Sequence, residues 1–160
     1  LLGGERKGML IDGFDLDNNP FAYHPDVVTG KSIVFTTSNG TRALLRAALA
    51  DRIIIGSFVN MQAVVNELVA DTRPVHLVCA GTMGRVSLED VLCAGGICHR
   101  LQLWSDEYGS GDDFDCDDDS TQLALDHYWF RASLPEDNDP ANMIEAMAQE
   151  ARVRTDPNLR

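Results

Sequence analysis

Basic residues are scarce in this sequence. Its 160 residues include 13 Lys and Arg against 25 Asp and Glu, so the formal net charge is −12. A nucleic-acid-binding surface needs lysine and arginine to displace counterions from phosphates, and a polybasic membrane anchor needs the same residues. The composition therefore argues against a general nucleic-acid-binding protein and against a polybasic membrane protein.

Long hydrophobic runs and a leader peptide are also lacking. No apolar run approaches the roughly 20 residues that a transmembrane helix requires. The opening residues, Leu-Leu-Gly-Gly-Glu, have neither the basic stretch nor the apolar core of a signal peptide. Because there is no initiator Met, we expect a fragment of a longer chain or a processed product. Because no secretory signal is visible, we expect it in the cytoplasm.

Cysteine is infrequent, and three of the cysteines lie in apolar segments, where a thiol packs as a small hydrophobic group. With no secretory signal, we predict reduced, buried thiols. The alternative is a metal site at Cys93-x4-Cys98-His99, but this spacing is wider than in a zinc knuckle and no second pair follows. The four cysteines are Cys79, Cys93, Cys98 and Cys116.

The residues that are present indicate a globular chain. Hydrophobic residues make up 44% and charged residues 24% of the sequence, a balance typical of folded proteins rather than disordered ones. A chain of 160 residues is long enough for one domain with a real core and too short for two ordinary domains. We therefore predict a single domain over residues 1–160.

Short apolar runs alternate with longer helical patterns in the middle of the chain. Strands are predicted at residues 32–36, 52–56 and 74–79. Helices are predicted at residues 41–50, 60–70 and 87–103, the last two with N-caps at Asn60 and Ser87. Continuous apolar strands separated by helices are typical of a parallel sheet covered on both faces. The pattern predicts an α/β fold with three αβα layers and a mainly parallel sheet of βαβ units.

An acidic segment follows this pattern. Eight Asp and Glu residues, with no Lys or Arg, lie from Ser105 to Asp119. We predict a solvated loop at about residues 105–120, because like charges repel one another. The alternative, a calcium loop, lacks the central Gly and the closing Glu of an EF-hand. Helices are predicted after it at residues 121–132 and from Asp139 to about Arg152.

The loop at residues 36–42 follows the first predicted strand at its carboxyl end, where open parallel sheets bind ligands. It contains several hydroxyl groups, a glycine at Gly40, the start of a helix and the guanidinium of Arg42. These groups are typical of a phosphate or sulfonate site, and an ordinary capped turn is the alternative. A Walker A loop is not indicated, since no Lys-Ser/Thr pair follows a second glycine.

Two further loops follow the other predicted strands. The loop at residues 79–87 leads to Glu89 and Asp90, carboxylates that can coordinate Mg²⁺ but more commonly stabilise the start of a helix. The loop at residues 56–60 offers Ser57 and Asn60, for which helix capping is also the favoured interpretation.

The segment before the first predicted strand is long and polar. Glu5, Asp12 and Asp15 are candidate metal ligands there, and ordinary turn residues are the alternative because Asp and Gly favour turns. A Ser-His-Asp hydrolase is not indicated, since neither the order of those residues nor a nucleophile elbow is evident.

Four blocks keep a fixed order and spacing over residues 2–103. They are GERKG with IDGFDLDNNP, GKSIVFTTSNGTRAL, IIIGSFVNMQAV and VHLVCAGTMGRVSLEDVLCAG. These blocks resemble consecutive motifs of the 2-phosphosulfolactate phosphatase family, and the resemblance fades beyond Trp104. It implies an Mg²⁺-dependent phosphatase of coenzyme M biosynthesis, which hydrolyses 2-phosphosulfolactate, or a related phosphorylated 2-hydroxy acid, to sulfolactate and phosphate. The implied partner is a small anion that carries a phosphate and a sulfonate or carboxylate.

The resemblance also implies roles for individual residues. Catalytic carboxylates are implied at Glu5, Asp15 and Asp90, and metal ligands at Asp15, Glu89 and Asp90. Substrate-binding roles are implied for a set of polar residues and glycines: Arg6, Asn18, Thr37, Ser38, Asn39, Gly40, Thr41, Arg42, Ser57, Asn60 and Gly81.

The chain also departs from the family pattern. Family members begin with a strand and an Asp-x-x-Arg-Ala-Thr-Thr stretch, and neither precedes the Gly-Glu block here. We therefore expect a fold that is incomplete at the N-terminus. The alternative function is a non-catalytic or incomplete homologue that only binds a small anion. Exposed sheet edges would favour association into a homo-oligomer.

Overall fold

The computed structural model describes residues 1–109, 114, 116 and 118–133. These residues divide into two compact units. Unit 1 comprises residues 1–53 and 78–86, and unit 2 comprises residues 54–77 together with the described residues from 87 onward. The predicted helix from Asp139 to Arg152 and part of the predicted acidic loop lie outside the described residues.

Unit 1 contains a small mixed sheet in the strand order β2-β1-β3. Strand β1 (Leu2–Arg6) pairs antiparallel with β2 (Met9–Leu10) and parallel with β3 (Val34–Thr36). Lys7 and Gly8 join β1 to β2 with positive φ angles of 56° and 77°, the backbone of a type I′ hairpin turn. The carboxyl ends of the parallel pair β1 and β3 therefore lie side by side.

Two glycines allow β1 to approach its neighbours closely. A Cβ atom on Gly4 would lie 2.1 Å from the carbonyl oxygen of Thr36, and its φ of +146° is one that other residues rarely adopt. A Cβ atom on Gly3 would lie 2.3 Å from the hydroxyl oxygen of Tyr23. Glycine is depleted in strands, so the sequence pattern does not predict β1. The close contacts of β1 nevertheless require glycine at positions 3 and 4.

The helices of unit 1 are short. They are α1 (Pro25–Val28) and α2 (Gly40–Arg46), and a 3₁₀ turn lies at Pro20–Ala22. The predicted helix at residues 41–50 therefore ends four residues early, at Arg46. Helices of this length depend on tertiary packing, and Leu49, beyond the end of α2, is fully exposed and has no such packing.

Unit 2 is helical. It contains α3 (Met61–Val69), α4 (Leu88–Tyr108) and α5 (Asp119–Ala132), with a 3₁₀ turn at Phe58–Asn60. Helix α5 packs closely on α4, where a Cβ atom on Gly95 would lie 2.1 Å from the carbonyl oxygen of Ala124. The core between α3 and α4 consists of aliphatic side chains and a methionine: Met61, Val64, Val65, Leu68, Ile97 and Leu101.

The α/β class is confirmed, but the described residues form a small mixed sheet rather than the predicted mainly parallel one. The predicted strand at residues 32–36 is present as β3, whereas no strand forms over residues 52–56 or 74–79, all of which are described. Ile55 and Val78 are exposed there. A strand needs a neighbouring strand for its hydrogen bonds, and a local apolar run does not reveal whether that neighbour exists.

The helices predicted at residues 60–70 and 121–132 are confirmed as α3 and α5. Helix α4 continues to Tyr108, past the predicted end at residue 103, because aromatic packing extends along it. The ring of Trp104 lies 6.2 Å from that of Tyr108 and 6.3 Å from that of Phe114. Among the described residues, no helix combines the length and the apolarity that crossing a membrane would need.

Candidate anion-binding site

Glu5 organises the loop that follows β3. Its side chain is 5% exposed, and one carboxylate oxygen accepts hydrogen bonds from the Ser38 N–H at 2.6 Å and the Thr37 hydroxyl at 2.9 Å. The other oxygen accepts from the Gly8 N–H at 2.7 Å and the Ser38 hydroxyl at 3.1 Å. The Glu5 carboxylate thus connects the turn between β1 and β2 to the loop between β3 and α2.

These hydrogen bonds keep Glu5 ionised. Burial by itself would raise the pKa of the Glu5 carboxyl, because it disfavours a charge away from water. The hydrogen bonds from Gly8, Ser38 and Thr37 outweigh burial and lower the pKa from 4.5 to about 2. Glu5 is therefore a carboxylate throughout the neutral pH range.

A second group of hydrogen bonds holds the other side of the same loop. The Arg6 guanidinium donates to the Thr36 hydroxyl at 3.2 Å and to the backbone carbonyl of Glu5 at 3.0 Å. The Thr41 hydroxyl accepts from the Thr37 N–H at 3.0 Å, and its oxygen lies 3.3 Å from that of Thr36. A guanidinium and two hydroxyls, all able to donate to an anion, therefore lie together at the end of β3.

The start of α2 adds two more donors to this group. Within the described residues, the N–H groups of Gly40 and Thr41 form no hydrogen bond, as is usual for the first residues of a helix. Arg42 follows them, is exposed, and has no acidic partner in the described part of the chain.

A second turn of unit 1 is attached to this loop. The side-chain oxygen of Asn39 accepts a hydrogen bond from the Met83 N–H at 3.1 Å. Thr82 and Arg85 exchange two backbone hydrogen bonds of 3.0 Å across the turn, and Met83 and Gly84 have positive φ angles of 53° and 77°. A Cβ atom on Gly81 would lie 2.5 Å from the carbonyl oxygen of Arg85, so this turn requires glycine there.

The structure thus brings together most of the residues predicted on the loop and the turn before β2. All of these residues belong to unit 1, where Asn39 and Gly40 continue the chain of the loop and the others take part in the hydrogen bonds described above: Glu5, Arg6, Thr37, Ser38, Asn39, Gly40 and Thr41. Two other predicted residues of unit 1 are elsewhere. Asp15 accepts a hydrogen bond from the Leu2 N–H at 2.7 Å, so it lies at the opposite end of β1, about 10 Å from Glu5 at the usual rise of a strand. Asn18 is exposed in the polar segment before α1.

The remaining predicted residues lie in unit 2. Asn60 accepts hydrogen bonds from the N–H and the hydroxyl of Ser57 at 2.7 and 3.0 Å, so its side chain belongs to a capping box of the 3₁₀ turn at Phe58–Asn60. It lies at the N-cap position of α3 as predicted but forms no capping hydrogen bond to that helix. Glu89 and Asp90 occupy the first turn of α4, where the Ser87 hydroxyl donates to the Glu89 carboxylate.

Acidic residues do not cluster in the described part of the chain. No group of three or more His, Cys, Asp or Glu residues there could hold a metal ion. The Glu5 oxygens already accept four hydrogen bonds, and a carboxylate has about four lone-pair positions, so Glu5 does not fit a metal ligand. Glu89 and Asp90 are consecutive residues of α4, and side chains one residue apart on a helix do not face each other, so their place in the sequence alone does not make them a pair of metal ligands.

The link between Asn39 and the turn at residues 82–85 was not predicted. The sequence Thr-Met-Gly-Arg carries a weak signal, because a residue followed by Gly can form a type I′ turn. Nothing in the sequence indicates that Asn39 holds this turn, since the two segments are 44 residues apart.

The chain is similar in sequence to one protein family and to several curated proteins. A family model described as 2-phosphosulpholactate phosphatase matches residues 1–152, which extends the resemblance beyond Trp104. Three curated relatives are each named "Probable 2-phosphosulfolactate phosphatase". The protein of Symbiobacterium thermophilum is 52% identical over 101 residues, which cover 63% of this chain and 43% of the relative.

The other two relatives give a similar result. The protein of Caldicellulosiruptor saccharolyticus is 48% identical over 100 residues, covering 59% of this chain and 41% of the relative. The protein of Caldanaerobacter subterraneus subsp. tengcongensis is 45% identical over 106 residues, covering 66% of this chain and 44% of the relative. The chain therefore spans less than half the length of these relatives.

Proposed function

Because the chain belongs to the 2-phosphosulpholactate phosphatase family, we propose that it forms part of a phosphatase. The reaction is hydrolysis of a phosphomonoester, in which water is consumed and the products are an alcohol and inorganic phosphate. The match of the family model over residues 1–152 carries this proposal. The loop at residues 36–42 supports it, because its donors suit a phosphoryl group.

The phosphoryl group binds at the end of β3 in this proposal. The Arg6 guanidinium donates hydrogen bonds to its oxygens, and so does the Thr36 or Thr41 hydroxyl that is not the donor in the bond between the two. Such donors are most effective where charge develops in the transition state, because they are held in place before the reaction begins. Hydrogen bonds of 3.0–3.3 Å within the loop provide this positioning.

The proposed substrate is 2-phosphosulfolactate, which the names of the relatives contain, or a related phosphorylated 2-hydroxy acid. This substrate carries further anionic groups, and a protein with a net charge of −12 repels it at long range. Arg6, Arg42 and Arg85 are exposed cationic residues of unit 1 that would reverse the potential locally. We place the reaction in coenzyme M biosynthesis and in the cytoplasm, where the absence of any disulfide among the four cysteines is usual.

Magnesium dependence is a further part of the proposal. The resemblance implies Glu89 and Asp90 as ligands of the ion, whereas Glu5, whose oxygens already accept four hydrogen bonds, does not fit one. When bound, Mg²⁺ neutralises charge on a transferring phosphoryl group. The side chains of unit 1 bind and orient the phosphoryl oxygens in either case.

A non-catalytic anion-binding homologue is the alternative. It is favoured by the alignment length, because the chain spans only 41–44% of the three relatives. The loop at residues 36–42, called the anion-binding loop below, would then bind phosphate without hydrolysing an ester.

The two functions are separated by measuring phosphate release and phosphate binding on the same preparation. We expect the chain to release inorganic phosphate from 2-phosphosulfolactate with Mg²⁺, with loss of activity in EDTA and in Arg42→Ala. The relative from Symbiobacterium thermophilum serves as the positive control for the assay. Binding of inorganic phosphate without any release of phosphate from the ester would favour the alternative. If the chain neither releases phosphate from the ester nor binds inorganic phosphate, both functions are refuted.

A further inference from the structure

The hydroxyl groups of the anion-binding loop fall into two pairs, one bound to Glu5 and the other beside Arg6. Those of Thr37 and Ser38 both donate to Glu5, whereas those of Thr36 and Thr41 lie 3.3 Å apart on the side that the Arg6 guanidinium contacts. The resemblance groups Thr37, Ser38 and Thr41 together as substrate-binding residues. The geometry separates the first two from the third.

Glu5 has no capacity left for a substrate, a metal ion or a proton in transit. Each carboxylate oxygen accepts two hydrogen bonds, which uses the roughly four lone-pair positions of a carboxylate. The side chain is also 95% buried, since only 5% of its surface is exposed. Because a buried charge is costly unless it is fully hydrogen-bonded, the four donors and the carboxylate depend on one another.

The four donors come from two separate segments. Gly8 belongs to the turn between β1 and β2, and Thr37 and Ser38 belong to the loop after β3. The Lys7 N–H also donates to the Ser38 hydroxyl at 3.1 Å, so this hydroxyl donates to Glu5 and accepts from the turn. Movement of either segment would break hydrogen bonds to the other.

We propose that Glu5 is a positioning residue of the anion site, and that Thr37 and Ser38 act through Glu5 rather than on the substrate. The proposal rests on the anion-binding role given to the loop above. Glu5 holds the loop so that Arg6 and the hydroxyls of Thr36 and Thr41, which lie together, face the anion. This role differs from the catalytic role that the sequence resemblance implies for Glu5.

The first test compares Glu5→Gln with Asp126→Asn, which removes the same charge from an exposed position on α5. Amide hydrogen exchange is measured at Gly8 and Ser38, and binding of inorganic phosphate is measured by calorimetry with Mg²⁺ and with EDTA. A glutamine can offer only its carbonyl oxygen to four donors. We expect exchange at both amides to accelerate, and phosphate to bind about tenfold more weakly, the change that corresponds to one net hydrogen bond, in both buffers.

Different results identify different roles for Glu5. Unchanged exchange at Gly8 and Ser38 in Glu5→Gln would overturn the proposal. A loss of phosphate affinity that occurs only with Mg²⁺ would also overturn it, because that result assigns Glu5 to a metal site. If the unmutated chain binds no phosphate, the proposed function fails, and the exchange measurement still decides whether Glu5 positions the loop.

A double-mutant cycle tests the role of Ser38. If Ser38 acts through Glu5, Ser38→Ala weakens phosphate binding in the unmutated chain and has no further effect in Glu5→Gln. Equal effects in both backgrounds would show that the Ser38 hydroxyl touches the anion and would overturn that part of the proposal. If Glu5→Gln does not fold, Ser38→Ala and Thr37→Val replace it. Both must then accelerate exchange at Gly8, and an unchanged rate would refute the coupling.

Discussion

The buried side chains of unit 1 and unit 2 differ in kind. Among the described residues, every buried hydrophobic side chain belongs to unit 2. In unit 1 the buried residues are Gly3, Gly4 and Glu5. The buried side chain of unit 1 is thus a hydrogen-bonded carboxylate, whereas most buried side chains of unit 2 are aliphatic.

This difference shows how a site can be specified independently of a core. Burial of apolar surface stabilises a fold by roughly 25 cal/mol per Å² and does not depend on the orientation of the buried groups. The apolar core of unit 2 therefore does not fix the positions of hydrogen-bond donors. A buried carboxylate stabilises only if its hydrogen bonds form together. Unit 1 therefore gains a defined loop geometry, which a binding site needs.

Removal of Leu92 tests the apolar side of this comparison and has the largest expected effect. Leu92 is 1% exposed on α4. We expect Leu92→Ala to lower the free energy of unfolding by about 2–5 kcal/mol, through lost transfer energy and the cavity left behind. Urea denaturation followed by circular dichroism measures the change.

Leu103→Ala is the matched control on the same helix, since Leu103 is 53% exposed. Its expected effect is below about 1 kcal/mol. Similar losses in the two variants would mean that the unit 2 core does not depend on burial of Leu92.

The pH dependence of stability tests the polar side. The pKa of Glu5 is lowered from 4.5 to about 2 in the folded protein, so the ionised form stabilises the fold above pH 4.5, and this contribution is lost as the pH falls through 2. The shift corresponds to on the order of 3 kcal/mol. Glu5→Gln should be less stable than the unmutated chain by about this amount at pH 7.

The difference in free energy of unfolding between Glu5→Gln and the unmutated chain is compared at each pH, because the contributions of the other carboxyl groups cancel in it. It should shrink as the pH falls below 4.5 and be nearly gone at about pH 2. A difference that stays constant between pH 7 and pH 3 would argue against an ionised, hydrogen-bonded Glu5. Denaturation at each pH provides the measurement.

Asn39→Ala tests whether unit 1 uses more than one polar contact to hold its loops. The variant removes the acceptor of the Met83 N–H and should cost about 1 kcal/mol. We expect faster amide exchange at Met83 and weaker binding of inorganic phosphate. Asn66→Ala on α3, an exposed residue of unit 2, should leave both measurements unchanged.

Met83→Asn has the smallest expected effect, and its sign is opposite. Met83 has a φ of 53° and is 81% exposed, so its side chain packs little while its backbone is strained. Asparagine tolerates this left-handed conformation better. We expect a gain of about 0.5 kcal/mol in the free energy of unfolding, and a loss would show that the Met83 side chain has a contact that outweighs the strain.

The fold was predictable where the local pattern and the packing agree. Helix α3 places Met61, Val64, Val65 and Leu68 on one face, and this spacing is visible in the sequence. Strand β1 was not predictable, because its Gly3 and Gly4 are explained only by the neighbouring Tyr23 and Thr36. The runs at residues 52–56 and 74–79 show the reverse case, since their strand-like composition has no paired strand among the described residues.

The site was predictable as a set of residues more than as a set of roles. The loop at residues 36–42 was identified from its hydroxyls, Gly40 and Arg42. The partners of those hydroxyls were not, because Glu5 is 32 residues from Thr37 in the chain and 2.9 Å from it in the fold. Asp15 was grouped with Glu5 by residue type, although the two lie at opposite ends of β1.

The sequence by itself determined the α/β class, the helices of unit 2, the position of the hydroxyl-rich loop at residues 36–42 and the likeness to a phosphatase family, since composition, periodicity and motif order are local properties. Only the tertiary structure decided that Glu5 is buried and fully hydrogen-bonded, and that Asn39 holds the turn at residues 82–85. Hydrogen bonds between distant segments depend on which strands pair, and pairing is a property of the folded chain as a whole.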